Sequence, residues 1–208
     1  MKLLFAPTSP FVRKVMICAH LSGLAERIEK LDSAAHPVQR DERIGMHNPL
    51  AKVPTLVLDD GMALYDSRVI CEFIADTGGN THLFPAPGPA RWKALQQQSM
   101  ADGLLDAALL ARYEDTARPA EVQWPVWRQA NLTKIHACLA SIEAMAPTLG
   151  LLRPTIGEVT IACALGYLDF RFPELQWRDA CPQAANWYAR IDALPFMQQT
   201  RPYDLPQP

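Results

Sequence analysis

Thr8-Ser9-Pro10-Phe11-Val12-Arg13-Lys14 joins a short apolar segment, residues 2–5, to an amphipathic one, residues 10–22. Pro10 suits the first position of a helix, where its missing N–H costs nothing and its fixed φ is already helical. Ser9 is then the N-cap. A serine there brings a hydroxyl, unpaired backbone N–H groups and the positive end of a helix dipole to one point. Such a point holds an anion. Phe11, Val15, Cys18 and Leu21 repeat at helical spacing, and Gly23 ends the helix.

Upstream, residues 2–5 read as a first strand. The opening Met1–Ala6 stretch starts like a signal peptide but is cut short by Pro7-Thr8. Downstream, residues 27–31 fit a second strand, and the polar segment 36–44 an irregular helix. Asn48-Pro49 marks a turn. Residues 55–58 look like a buried strand, Asp59-Asp60-Gly61 a hairpin turn, and residues 62–65 the return strand. Asp66 or Ser67 caps a helix that runs through Val69, Ile70, Phe73 and Ile74 to Gly78-Gly79. The order is β-α-β-α-β-β-α.

Residues 80–89 hold three prolines and a glycine, and the pattern then changes. Helical periodicity covers 90–117, 121–145, 155–171, 182–194 and 196–200, with Thr155 and Glu158 spaced as a capping box. The expected organisation is an α/β domain over 1–79, a linker over 80–89 and an all-α domain over 90–208.

The 208 residues are 49% hydrophobic and 20% charged, the composition of a globular chain, and no apolar run is long enough to span a membrane. A net charge of −2 gives no electrostatic case for nucleic acid or an anionic membrane surface. Cys18, Cys71, Cys138, Cys163 and Cys181 are odd in number and far apart. No CxxC pair or Cys/His spacing suits a metal. They read as small hydrophobes in a reducing, cytoplasmic compartment.

The β-α-β-α-β-β-α unit with its Ser-Pro-Phe and Val-Pro-Thr turns resembles the thioredoxin fold. Ser9-Pro10-Phe11-Val12 stands where a glutaredoxin has Cys-Pro-Phe-Cys, so a dithiol redox role loses both its thiols. The whole chain resembles a cytosolic glutathione S-transferase of the bacterial kind with a serine at the thiol site. Residues 9–14 are similar to the catalytic turn and 48–56 to the cis-proline segment. Residues 66–70 match the acid–serine pair that opens the third helix, and 155–165 the capped buried helix of the second domain. Arg171-Phe172-Pro173 and Trp177-Arg178 continue the match. Ala51 departs from the pattern where glycine is common. Asp66 departs where glutamate is common and shortens the reach by one methylene.

The resemblance implies a homodimeric, detoxifying transferase that joins glutathione, its co-substrate, to a small apolar electrophile in a cleft between the domains, without a metal. Ser9 would be the catalytic hydroxyl. Ser9, Phe11, Lys52, Val53, Pro54, Asp66 and Ser67 would bind glutathione. Val53 supplies a strand-like edge once the Val53–Pro54 bond is cis. Ser67 at a helix start suits the γ-glutamyl carboxylate, Asp66 the amine, and Lys52 the glycyl carboxylate. Thr8 is a rival to Ser9 as donor to the sulfur, and the Pro10 register favours Ser9. Asp102 and Asp106 lie i, i+4 on the fourth helix. Asp102 would reach a partner's site across the dimer; otherwise both are solvated, as are Arg13 and Lys14. Tyr113 and Trp124 line the electrophile pocket or pack in the core. The histidines form no cluster and default to the surface. The same site would serve a glutathione-dependent isomerase, dehalogenase or peroxidase, or a glutathione-binding scaffold without turnover.

Magnitudes bound the role of Ser9. Lowering a thiol from about 8.5 to about 6.5 takes roughly 2.7 kcal/mol. A helix dipole supplies about 0.3–1 and a hydrogen bond to a charged group about 1.5–3. Together they suffice. The thiolate fraction at neutral pH rises about 25-fold while nucleophilicity falls about 8-fold, a net gain of about threefold. Most of the acceleration must then come from holding the two reactants together.

Overall fold

The computed structural model describes residues 1–33 and 35–205. The chain divides into two compact units, one holding Met1–Ala86 and the chain from Pro195 onward, the other Pro87–Leu194. From sequence alone the last helix groups with the all-α domain, but it clusters with the first unit. The final three residues of that expected domain lie outside the described residues.

The first unit is built on β1 (Lys2–Phe5), α1 (Pro10–Leu21), β2 (Glu29–Asp32), α2 (Glu42–Gly45), β3 (Thr55–Val57), β4 (Ala63–Leu64) and α3 (Ser67–Thr77). The strands form one sheet in the order β2-β1-β3-β4. β1 and β2 are parallel with Leu4 opposite Leu31, β1 and β3 antiparallel with Leu3 opposite Leu56, and β3 and β4 antiparallel with Leu56 opposite Leu64. The β3–β4 turn forms as its sequence requires: Gly61 takes φ 88°, and the Met62 N–H donates to Asp60 Oδ1 at 2.9 Å. Leu3, Val15, Ile17, Leu56, Ile70 and Ile74 are fully buried between the sheet and the helices α1 and α3. Each such side chain contributes about 1.5–3 kcal/mol on leaving water.

The second unit comprises α4 (Pro89–Thr116), α5 (Pro125–Met145), α6 (Ile156–Arg171), α7 (Trp177–Ala180) and α8 (Pro182–Asp192), and α9 (Pro195–Gln198) returns to the first unit. α6 is buried on nearly every face from Ile156 to Leu168, as a helix that is apolar all round must be. It lies against α4, where Gly157 permits the closest approach: a Cβ there would sit 2.8 Å from the Ala94 carbonyl oxygen. Its capping acid works as the spacing predicts, since the Thr155 N–H donates to Glu158 Oε2 at 2.6 Å. The same carboxylate also accepts from Gly150 N–H at 2.6 Å. Among the described residues no helix is long and apolar enough to cross a membrane.

The expected polar helix over 36–44 is mostly loop, and α2 occupies only Glu42–Gly45. Arg13 and Lys14 are not on a solvated face: they are 5% and 0% exposed. For Arg13 the returning C-terminal segment is part of the reason. α1 is packed by α3 and by α9, and the Arg13 guanidinium donates to the Met197 carbonyl at 3.3 Å. Asp102, also expected in solvent, is 1% exposed, while Asp106 is exposed as expected. Trp124 is no core residue. It is 59% exposed and stacks on Trp127 with ring centroids 6.4 Å apart.

Candidate active site

Strand register brings three turns to one end of the sheet. Leu4 pairs with Thr55, so the exit of β1 and the entry of β3 coincide; Leu64 pairs with Leu56, so β4 ends there too. Thr8–Ser9, Val53–Pro54 and Asp66–Ser67 therefore leave the sheet at the same end.

Ser9 is the N-cap of α1 with extended backbone, and its Oγ accepts from the Val12 N–H at 3.3 Å. A hydroxyl accepts and donates at once. Among the described residues its proton has no acceptor, so capping leaves the donor available. Phe11, half-buried two residues on, has the Lys14 ammonium 5.7 Å from its ring centroid. Thr8 is half-buried beside Ser9.

The Val53–Pro54 peptide bond is cis, as is Tyr65–Asp66. Neither the N–H nor the C=O of Val53 pairs with any described residue. An extended peptide laid alongside has both groups to bond to. The loop that presents Val53 is organised by Asn48. This buried side chain donates from Nδ2 to the Lys52 carbonyl at 3.2 Å and to Thr55 Oγ1 at 3.0 Å, and accepts from the Leu50 N–H at 3.0 Å. Thr55 adds a bond to the same Lys52 carbonyl at 2.8 Å. The Lys52 side chain is exposed. Ala51 takes φ 50°, the left-handed region where glycine is at home. The sequence marks Asn48 only as a turn residue, and no local pattern signals its bonds to Lys52 and Thr55.

Asp66 caps α3 by accepting from the Arg68 N–H at 2.9 Å, and its side chain is exposed. Ser67 follows at the first helical position, 3% exposed, with neither its N–H nor its hydroxyl bonded to a described residue. Two donors at a helix start form a place for a carboxylate, with an acid next to it for an amine. Asp102 belongs to the other unit. Among the described residues no group of three His, Cys, Asp or Glu side chains converges to hold a metal.

At one end of one sheet stand a donor aimed from a helix start, an open backbone edge and a carboxylate–amine clamp. Together they can hold an extended peptide with a free α-amino acid end and stabilise a thiolate.

Residues 8–77 match the sequence family described as glutathione S-transferase, N-terminal domain, and residues 125–190 match glutathione S-transferase, C-terminal domain. The chain is 34% identical over 174 residues to the uncharacterized GST-like protein YibF of Escherichia coli (strain K12), a match covering 82% of this chain and 83% of that protein. It is similar to the crystal structure of a glutathione transferase family member from Pseudomonas fluorescens Pf-5 with bound glutathione, at 40% identity and TM-score 0.92, covering 98% of this chain and 99% of that one. A second structure from that organism, with bound S-(propanoic acid)-glutathione, matches at 41% identity and TM-score 0.89, covering 98% and 100%. Matching domains in the same order, over nearly the full length of relatives this similar, show that the chain belongs to the glutathione S-transferase family.

Proposed function

We propose that the protein is a glutathione transferase that adds the glutathione thiolate to a small electrophile, with Ser9 donating its hydroxyl to the sulfur. The observation that carries this reading is the free donor of Ser9 at the start of α1, on the same sheet end as the unpaired main chain of Val53. Val53 pairs with the cysteinyl backbone, Ser67 receives the γ-glutamyl carboxylate, Asp66 the amine, and Lys52 the glycyl carboxylate. Phe11 and Pro54 wall the sulfur. Asp102 is left out of these contacts because burial within its own chain withholds its carboxylate.

Glutathione bound to a relative 40% identical supports the co-substrate. The S-substituted glutathione on the second structure supports conjugation over isomerisation or peroxide reduction. We further propose a homodimer, supported by the exposed apolar side chains Met62, Tyr65 and Val69 on and beside β4 and α3, and a cytoplasmic location, supported by five free cysteines; a detoxifying role follows from conjugation of an electrophile. Steady-state kinetics with glutathione and an activated aryl halide test the transferase reading. Ser9→Ala should lower kcat/KM by about threefold, the net gain of thiol activation, with Thr8→Ala near the parent. Tight glutathione binding without turnover on any electrophile would instead identify a binding protein.

A further inference from the structure

The end of β1, one face of α1 and the segment after α9 line a cavity of about 50 Å³ within the first unit, partly open to solvent. A single water needs about 10–15 Å³, so the space takes a group of several heavy atoms. Its apolar lining includes Phe5, Val12 and Met16, all buried. Three of its polar side chains are cations: Arg13 on α1, Lys30 on β2 and Arg201 beyond α9. Among the described residues no carboxylate lines it. Glu29 and Asp32 on β2 and Asp204 after Arg201 are exposed and stand outside the lining.

Arg13 fixes the inner part of the set. It is 5% exposed, one Nη donates to the Met197 carbonyl at 3.3 Å, and the buried Nε–H meets no acceptor. A buried N–H left in that state is costly. The Lys30 ammonium lies 5.1 Å from the Phe5 ring centroid, against the cavity wall, and has no carboxylate partner among the described residues. Lys30 and Arg201 are exposed, so they add charge without the desolvation cost of burial. A water would satisfy the Arg13 Nε–H alone. An oxyanion satisfies it and is attracted by the other two cations as well.

We propose that this cavity is a recognition site for a phosphoryl group, with Arg13, Lys30 and Arg201 as its cationic donors. Three cations suit a dianion better than the single charge of a carboxylate. A guanidinium presents N–H groups at a spacing that matches phosphate oxygens, and the lysine adds a point charge. The volume holds the phosphoryl group, and the open side leaves room for an organic remainder. The source is either inorganic phosphate or a small phosphate monoester. The lining includes none of Ser9, Val53, Asp66 and Ser67, so the site does not rest on the transferase reading.

Calorimetric titration of inorganic phosphate into the full-length protein tests the site, without glutathione, at low ionic strength and at about pH 8, where a phosphoryl group carries two charges. Binding should saturate below about 1 mM. Acetate should bind at least about tenfold more weakly, having one charge in place of two. Lys30→Gln and Arg201→Gln should each weaken phosphate binding by about threefold or more, and the double variant by about tenfold. Both positions are exposed, so an unchanged melting temperature separates lost recognition from lost folding. No saturable binding, acetate bound as tightly as phosphate, or a double variant that binds like the parent overturns the proposal. Glycerol 3-phosphate then distinguishes the sources. Tighter binding than inorganic phosphate assigns a monoester, and weaker binding assigns the free ion. If no electrophile reacts with glutathione, the transferase reading falls while the phosphate titration still decides this one.

Discussion

The two units build their polar sites from different material. At the sheet end of the first unit, the unmet groups are mostly main chain: the N–H and C=O of Val53 and the N–H of Ser67. At the seams that α4 forms in the second, they are side-chain atoms: Gln98 Nε2 on α4 and Asn131 Oδ1 on α5, both buried. A main-chain site depends on the residues that bend the backbone. A side-chain site depends on how closely its helices pack. The first kind leaves short local motifs in the sequence, and the second leaves scattered positions.

The largest effect should come from the packing of the second unit. In Gly157→Ala the new methyl would meet the Gln97 side chain at 2.6 Å and the Ala94 carbonyl at 2.8 Å. We expect a loss of about 2–3 kcal/mol in chemical denaturation. A neutral substitution would mean that close helix approach is not what fixes the seam. Next, Asn48→Ala removes both Nδ2 bonds and the acceptor for Leu50. Stability should fall by about 2 kcal/mol, and glutathione affinity should fall with it although Asn48 touches no ligand group. Calorimetric titration that finds affinity unchanged would separate the loop's course from binding.

Smaller still is Glu143→Ala. This carboxylate on α5 accepts from the Gln183 and Ala184 N–H groups at 3.0 and 2.8 Å and so caps α8 from outside its own sequence. The expected cost is about 1–2 kcal/mol, as for other lost caps. Ala51→Gly should act in the opposite direction. It relieves a left-handed alanine, and after the entropy of glycine is subtracted the gain should be under about 1 kcal/mol. A fall in melting temperature would show that φ 50° is not strained there. The smallest effect concerns Asp59, whose carboxyl is held below its ordinary range by a 2.9 Å hydrogen bond from the N-terminal ammonium. The depressed value means that the stabilisation is present above the ordinary carboxylate pKa and fades as pH falls through the folded one. Both groups meet in solvent, so Asp59→Asn should leave the neutral-pH melting curve unchanged within error.

The same division explains what was legible. The fold class and element order of the first unit follow from alternating apolar runs, Pro10 at a helix start and the Asp-Gly turn, because each is a local backbone preference. Ser9 as the cap of α1 and Glu158 as the capping acid of α6 were readable for that reason. Arg13 and Lys14 were not. Arg13 meets α9, which arrives from about 180 residues away, and no local pattern reports that contact. Glu143 is likewise a cap only in three dimensions. Tyr113 stood out in the sequence as a pocket or core residue, and it lies half-buried near the end of α4.

An ultraviolet difference titration of the glutathione thiol, with and without the protein, from about pH 5 to 9 around its free value near 8.5, addresses Ser9 directly. Thiolate absorbance should develop on the protein well below the free value, and Ser9→Ala should abolish the shift while Thr8→Ala leaves it. Bound glutathione that titrates as in water would reduce Ser9 to a helix cap and contradict the proposed chemistry.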